Sequence, residues 1–327
     1  MADVKPDPIF QVASGFLAAK ALFVAAEIGL FEKLAERPAT LVEMGQRTGI
    51  PLRTLRITAD AMVALNFIER QGEHYRNGPL AATFLAGTGQ PDLRPFLHFW
   101  NRISYLRHAR LEDAIRTDEI VFKTALNEQE QRLYSEGVEA VTAGTANALP
   151  EKYDFGHHQS VLDLGGGTGS FLLAILKRFD KLRCTLYDQP AVTAATRRRF
   201  AQTPYMSRVQ IVEGDFFKDP IPKGHDAIVV ANIMHCFPAD LALEFLNRVR
   251  GAASVAARLL LVDFWTNATH TEPVFAALVA AEFLLTPGGG DVYSIADASA
   301  WFQKTSWRLI DRKPLAGPAS LLVAEAV

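Results

Sequence analysis

Between Ser160 and Gly169 a short apolar run passes directly into Asp163-Leu-Gly-Gly-Gly-Thr-Gly169, and this junction limits the possible folds more than any other stretch of the chain. Glycines permit a tight turn and let a ligand approach bare backbone where a strand gives way to a helix. The pattern predicts a strand over Ser160–Leu164 and a helix starting near Gly169. Further strands are predicted over Leu182–Tyr187, Val209–Val212, Ala227–Ala231 and Arg258–Asp263, with final runs near Trp307–Asp311 and Ser320–Ala324, and helices starting near Ala191 and Asp240. Such alternation predicts an α/β domain: a Rossmann-like, seven-stranded, mostly parallel sheet with helices on both faces.

Ligands of open α/β sheets bind beyond the carboxyl ends of the strands, and three successive ends here carry groups suited to one nucleoside. Gly165, Gly167 and Gly169 give G-x-G-x-G, but Ser170 stands where the dinucleotide fingerprint requires glycine or alanine, so the loop favours S-adenosylmethionine over NAD. Asp188, about twenty residues on, ends the second strand where a carboxylate accepts hydrogen bonds from ribose hydroxyls. Glu213-Gly214-Asp215-Phe216 ends the third, with Asp215 placed to accept the adenine amino group and Phe216 to pack on its ring. A single acid of this kind caps a helix equally well. It is the order and spacing of the set that favour a nucleoside site.

At 327 residues the chain is long enough for two cores. From about Phe10 to Leu34 it reads as apolar helices, with so few charges over Val12–Ala26 that burial against another surface is expected, a partner subunit being one candidate and the chain's own core the other. Thr40-Leu-Val-Glu-Met-Gly-Gln-Arg-Thr-Gly49, with Thr40 as N-cap and Gly49 as stop, precedes a second helix over about Leu52–Leu65 and a small hairpin turning at Gln71-Gly72. The whole resembles a winged helix. Its candidate recognition helix offers only Arg53 and Arg56 against Asp60, Glu69 and Glu73, which is poor equipment for phosphate contacts. Pro91–Arg116 predicts an aromatic helix through Phe96–Tyr105 and an amphipathic continuation; Phe99, Trp100, Tyr105 and, on a later helix over about Glu128–Leu149, Tyr134 are candidates to line an acceptor cavity, with core packing as the plainer role.

A net charge of −2 with 49% hydrophobic residues fits a packed globular chain and carries no electrostatic footprint for nucleic acid. Cys184 and Cys236 are too few and too far apart for a disulfide framework or a zinc site, which suits a reducing compartment. Met1–Pro8 lacks an apolar segment and Val274–Leu285 is short and interrupted by Glu282, so neither signal peptide nor membrane span is expected and the cytoplasm is the expected location.

Val161-Leu-Asp-Leu-Gly-Gly-Gly-Thr-Gly169, Tyr187-Asp-Gln-Pro190, Glu213-Gly-Asp-Phe-Phe217, Ala231-Asn-Ile-Met-His-Cys-Phe237 and Thr286-Pro-Gly-Gly-Gly290 together resemble the two-domain small-molecule O-methyltransferases of plants and bacterial natural-product pathways, including the caffeate and hydroxyneurosporene types. The resemblance covers nearly the whole length. It implies a winged-helix-like dimerisation domain over 1–105, a helical linker contributing to the substrate pocket over 106–152 and a catalytic domain over 153–327, assembled as a homodimer. It further implies S-adenosylmethionine contacts from Asp163, Gly165, Gly166, Gly167, Asp188, Gln189, Gly214, Asp215, Phe216 and Phe237. No metal is expected, since His157-His158 are adjacent and precede the first strand and His270 has no ligand partners at helical spacing. His235 matches the family's general base, and Asp263 and Asp291 the carboxylates that flank it. A carboxylate on the far ring nitrogen would fix the tautomer and stabilise the imidazolium. Departures are Cys236 and Phe237, where many relatives carry aspartate and tryptophan, and Ala231, where some carry lysine.

The expected reaction is methyl transfer to a phenolic or enolic hydroxyl of a small aromatic metabolite. Alternatives are methylation at carbon or nitrogen on the same scaffold, a winged-helix DNA-binding regulator that senses S-adenosylmethionine, and an NAD-dependent oxidoreductase, which Ser170 disfavours.

Overall fold

Thr40 starts its helix as its position predicts: its hydroxyl accepts the Glu43 N–H while the Glu43 carboxylate accepts the Thr40 N–H, a reciprocal cap that satisfies two otherwise orphaned donors. In the computed structural model, which describes residues 4–119, 121–122 and 126–327, this helix belongs to an N-terminal series. The series runs α1 (Asp7–Glu27), α2 (Leu30–Glu36), β1 (Ala39–Thr40), α3 (Leu41–Thr48), α4 (Leu52–Ala64), β2 (Ile68–Gln71), β3 (His74–Asn77), α5 (Pro79–Phe84) and α6 (Arg94–Phe99). The hairpin β2–β3 is the expected one, and the two-residue β1 adds to it in the order β1-β3-β2. Phe31, Leu55, Met62 and Tyr75 form the core of this winged-helix-like arrangement.

The chain divides into two units, one comprising Met1–Leu106 and Leu126–Val141, the other Arg107–Ala125 and Thr142–Val327. The aromatic helix predicted through Phe96–Tyr105 is interrupted. After α6, Trp100–Ser104 form a π-helical turn, followed by α7 (Tyr105–His108) and, past a break, α8 (Leu111–Thr117). The extra residue per turn changes the helix phase: Trp100 turns onto Phe96 at 4.6 Å, while Tyr105 meets Phe23 edge-on at 6.3 Å.

Only the end of α1 enters the core, through Phe23, Ala25 and Ala26. Ile9, Phe10, Val12, Phe16 and Leu17 are all more than half exposed. With 21 residues and a mean hydropathy of 1.7 over its most apolar 18-residue window, α1 is long and apolar enough to cross a membrane by length and composition alone, a property the sequence reading of Met1–Pro8 and Val274–Leu285 passed over.

α9 (Glu128–Lys152) carries the chain into the second unit. There β4 (Ser160–Leu164), α10 (Ser170–Arg178), β5 (Arg183–Asp188), α11 (Pro190–Ala201), β6 (Val209–Glu213), β7 (Ala227–Ala231), α12 (Ala239–Ala252), β8 (Arg258–Asp263), α13 (Val274–Leu284), α14 (Ile295–Lys304), β9 (Trp307–Pro314) and β10 (Ser320–Ala326) follow. The sheet order is β6-β5-β4-β7-β8-β10-β9, parallel through β8, with β10 antiparallel to both of its neighbours. The seven strands and their mostly parallel arrangement are those read from the sequence. Parallel strands covered on both faces read as continuous apolar runs, and both faces carry a core. Leu162, Leu164, Ile228, Val230, Leu259 and Leu261 point to one, and Val161, Val229, Leu260 and Val262 to the other.

Candidate active site

The carboxyl ends of β4, β5 and β6 meet at the glycine loop. Gly165 has φ +71°, a left-handed conformation that a side chain would strain, and a Cβ there would also collide with Ile233 and crowd Phe216. The Gly167 N–H donates to Asp188 Oδ2 at 2.8 Å, and the other carboxylate oxygen accepts the Gln189 N–H at 2.7 Å. Two backbone donors therefore fix the Asp188 carboxylate, although burial, the larger effect, raises its pKa. Thr196 donates its hydroxyl to Gly167 O at 2.6 Å, and the Arg199 guanidinium donates to the hydroxyls of Thr168 and Ser170. These two α11 residues brace the loop from behind. No motif marks them, and sequence reasoning missed both.

Asp163 is fully buried in an apolar layer, and neither of its carboxylate oxygens has a hydrogen-bond partner among the described residues. Its Oδ2 lies only 2.6 Å from where a Cβ on Gly166 would sit, so bare backbone covers it. Burial, reinforced by the nearby charge of Asp188, pushes the Asp163 carboxyl up to about 8. An orphaned buried acid beneath a glycine cradle suits a ligand that brings positive charge of its own. By this test the residues present fit a sulfonium nucleoside carrying an amino acid.

At the end of β6 the expected residues are close to the loop, but Asp215 is engaged locally. Its carboxylate accepts the Phe217 N–H at 2.9 Å and pairs with Lys218 at 3.2 Å, while its carbonyl accepts the Tyr187 hydroxyl. Gly214 leaves no room for a Cβ beside Tyr187. Phe216 packs between Tyr187 and Phe245, and Phe237 packs against Phe217 and Phe245.

Past β7 the chain turns at Asn232 (φ 57°) into a 3₁₀ turn, Met234–Cys236, that presents His235. The imidazole is 6% exposed, and its Nδ1 lies 2.5 Å from Asp263 Oδ1 at the end of β8. The other Asp263 oxygen accepts the His235 N–H at 3.3 Å. Burial opposes charge on the ring, but the Asp263 carboxylate, with Cys236 beside it, outweighs burial and raises the imidazole well above its ordinary range. Two rings that sequence reasoning missed lie almost parallel to it: Phe283 at 3.7 Å and 18°, and Phe264 at 5.9 Å and 21°. Among the described residues no hydrogen bond joins Asp291 to the ring. Asp291 is exposed, and its carboxylate accepts the Val292 N–H. The Pro-Gly-Gly-Gly turn before it packs instead on the backbone of the 3₁₀ turn, where a Cβ on Gly288 or Gly290 would strike the carbonyls of Cys236 and His235.

Cys236 packs with its Sγ 3.7 Å from Asn232 O. Phe99 and Tyr134 meet edge-on at 5.2 Å within the first unit, and Tyr105 carries the Lys20 ammonium on its face at 4.6 Å. These rings, proposed from sequence as an acceptor wall, are thus engaged with partners inside that unit. Among the described residues no group of three or more His, Cys, Asp or Glu is arranged to hold a metal.

Residues 114–304 match the O-methyltransferase domain family and residues 10–87 the O-methyltransferase dimerisation domain. The chain is 27% identical to the tetracenomycin polyketide synthesis 8-O-methyl transferase TcmO of Streptomyces glaucescens, over 97% of this chain and 96% of that one. It is 28% identical to the 3-hydroxy-5-methyl-1-naphthoate 3-O-methyltransferase of Streptomyces sahachiroi, over 91% and 88%. The structure of human N-acetylserotonin methyltransferase in complex with SAM superposes with a TM-score of 0.90 over 100% of this chain and 99% of that one, at 20% identity. This chain belongs to the O-methyltransferase family, and it is an S-adenosylmethionine-dependent enzyme acting on a small molecule.

Two outcomes follow from this geometry. Because the Asp163 pKa is raised on folding, the folded state stays protonated where the unfolded chain ionises, so its contribution to stability falls as pH rises from about 4 to about 8. In the ligand-free protein, Asp163→Asn should flatten that decline and raise Tm at pH 8 by about 3 °C or more, read by calorimetry across pH. Gly290→Ala should cost about 2 kcal/mol in urea unfolding, because the added methyl meets backbone instead of a movable side chain.

Proposed function

We propose that the enzyme methylates a phenolic or enolic hydroxyl of a small aromatic metabolite, with His235 as general base and Asp263 as the group that orients it. The observation that carries this reading is the buried His235–Asp263 pair, 2.5 Å apart, at the same sheet edge as the glycine loop. S-adenosylmethionine, when bound, supplies an electrophilic methyl on an excellent leaving group. The protein's tasks are therefore to align the acceptor and to accept its proton. Gly165, Gly166 and Gly167 offer bare backbone to the cofactor, Asp188 its fixed carboxylate and Asp163 its buried one, with Gln189, Gly214, Asp215, Phe216 and Phe237 completing the surround.

With Nδ1 bound to Asp263, Nε2 is the nitrogen that meets the acceptor. The carboxylate holds the productive tautomer and stabilises the imidazolium that forms. An ordinary imidazole is several pKa units less basic than a phenolate, whereas one raised by Asp263 comes close to the phenol range of about 10, so proton transfer nears balance. This match favours a phenol over an aliphatic alcohol. The naphthoate and tetracenomycin acceptors named for two relatives support an aromatic substrate. A second copy of the chain covers the exposed α1 residues Phe10, Val12, Phe16 and Leu17, giving a homodimer in the cytoplasm, as the dimerisation-domain match supports.

His235→Ala should lower kcat by about 10²–10⁴-fold on whichever hydroxyarene of a panel is turned over, while S-adenosylhomocysteine affinity measured by calorimetry stays within about threefold. Equal turnover in the variant would exclude the base assignment, and fragmentation of the product fixes the methylated atom as oxygen, carbon or nitrogen. With the imidazole raised, kcat/KM should climb with pH above neutrality. Asp263→Asn removes the anion that raises it, so its residual activity should climb at lower pH than the wild type on the same acceptor. Phe16→Asp should convert dimers to single copies in sedimentation velocity, and an unchanged mass would refute the proposed contact.

A further inference from the structure

The His235 imidazole is held along one edge by Asp263, but its face is held by Phe283. The two ring centroids are 3.7 Å apart with planes 18° from parallel. Phe283 comes from α13, whose own burial does not explain the contact: Val274 and Leu278 of that helix are 68% and 70% exposed, and Phe283 itself is only partly buried while lying on a buried histidine. What fixes the helix end is the turn that follows it. Leu285 is fully buried, and Gly288 and Gly290 set the Pro-Gly-Gly-Gly turn directly on the carbonyls of Cys236 and His235. The 3₁₀ turn and the end of α13 are therefore registered to one another through backbone, and Phe283 is registered to the imidazole with them.

We infer that Phe283 is a positioning residue for proton transfer: stacked on the His235 ring, it sets the plane in which Nε2 meets the acceptor hydroxyl and stabilises the imidazolium as the proton arrives. In this step the acceptor O–H bond breaks, its proton passes to Nε2 and its electron pair stays on oxygen; bound S-adenosylmethionine would supply the methyl group to that oxygen, the methyl–sulfur electron pair leaving on the neutral thioether of S-adenosylhomocysteine. The inference rests on His235 being the base. A ring with a hydrogen bond at one nitrogen can still rock about that bond, and an aromatic face at stacking distance removes this freedom. An aromatic face also attracts a cation more than a neutral ring, so the stack favours the protonated form. The charged and titratable groups facing the imidazole are Asp263 from β8 and Cys236 from its own turn. From α13 the neighbouring Glu282 directs its carboxylate towards His108, 3.4 Å away. Phe283 thus adds to the Asp263 effect in the same direction without contributing a charge.

The test compares Phe283→Leu, Phe283→Tyr and His235→Ala in the full-length protein saturated with S-adenosylhomocysteine, following the imidazole ¹⁵N resonances against pH and assigning His235 by their loss in His235→Ala. Leucine keeps the site apolar but removes the aromatic face, so the His235 titration should move to lower pH by roughly half a unit or more, and tyrosine should restore it. On an acceptor found in the hydroxyarene panel, Phe283→Leu should lose about fivefold to tenfold in kcat with KM within about twofold, while Phe283→Tyr stays within about twofold of wild type. An unmoved titration with unchanged kcat in a folded Phe283→Leu protein, or a loss confined to KM, overturns the inference. Full turnover in His235→Ala would instead overturn the base assignment, so the two failures are distinguishable.

Discussion

The hydrogen bond from the Gly167 N–H to the Asp188 carboxylate joins two adjacent parallel strands at their carboxyl ends, and the site's geometry depends on it. Parallel pairing sets β4 beside β5 in register, so the glycine loop and the acid that follows β5 arrive at one edge together. The bond orients the carboxylate and also fixes the loop that it faces. Thr196 and Arg199 then hold the loop from the α11 side. The result is a preorganised cradle with little left to order when a ligand arrives.

The same edge presents a contrasting pair of acids. Asp263 has a partner in His235, and the two form a compact dyad whose charges compensate each other in a buried setting. Asp163 has none and is kept near neutrality by burial. A buried charge without a partner is costly, so Asp163 holds its proton to higher pH, whereas Asp263 has the His235 imidazole beside it. Two carboxylates of the same chemistry are thereby separated by their surroundings alone, one unpaired in an apolar layer and one bonded to an imidazole.

The sheet was legible in the sequence because strands covered on both faces must be apolar throughout, and the seven runs found that way are the seven strands. The placement of the glycine loop, Asp188 and His235 at one sheet edge was legible because each follows the carboxyl end of a strand that the apolar runs mark. Asp291 was placed beside the imidazole by resemblance; the turn before it packs through backbone on the His235 turn, and its carboxylate accepts the Val292 N–H. Phe283 gave no signal because α13, Glu282 apart, is apolar all round, so no periodicity distinguishes the ring that meets His235 from apolar side chains that meet solvent. The interruption at Trp100–Ser104 was equally hidden, since a π-helical turn keeps a helical composition and changes only the phase. On α1 the apolar character was plain, but patterning alone could not say what covers it.

The antiparallel strand β10 lies between β8 and β9 although it follows both in the chain, and it pairs Ser320 with Asp263. During synthesis β8 therefore emerges with one edge bare and must wait through more than fifty residues for its neighbour. Long-range strand pairing is slow to form, and a bare hydrophobic edge is prone to capture by other chains. Since Asp263 ends that strand and pairs with Ser320, a nascent chain stalled short of Ser320 would carry the complete glycine loop while the strand that holds His235's partner still lacked its neighbour.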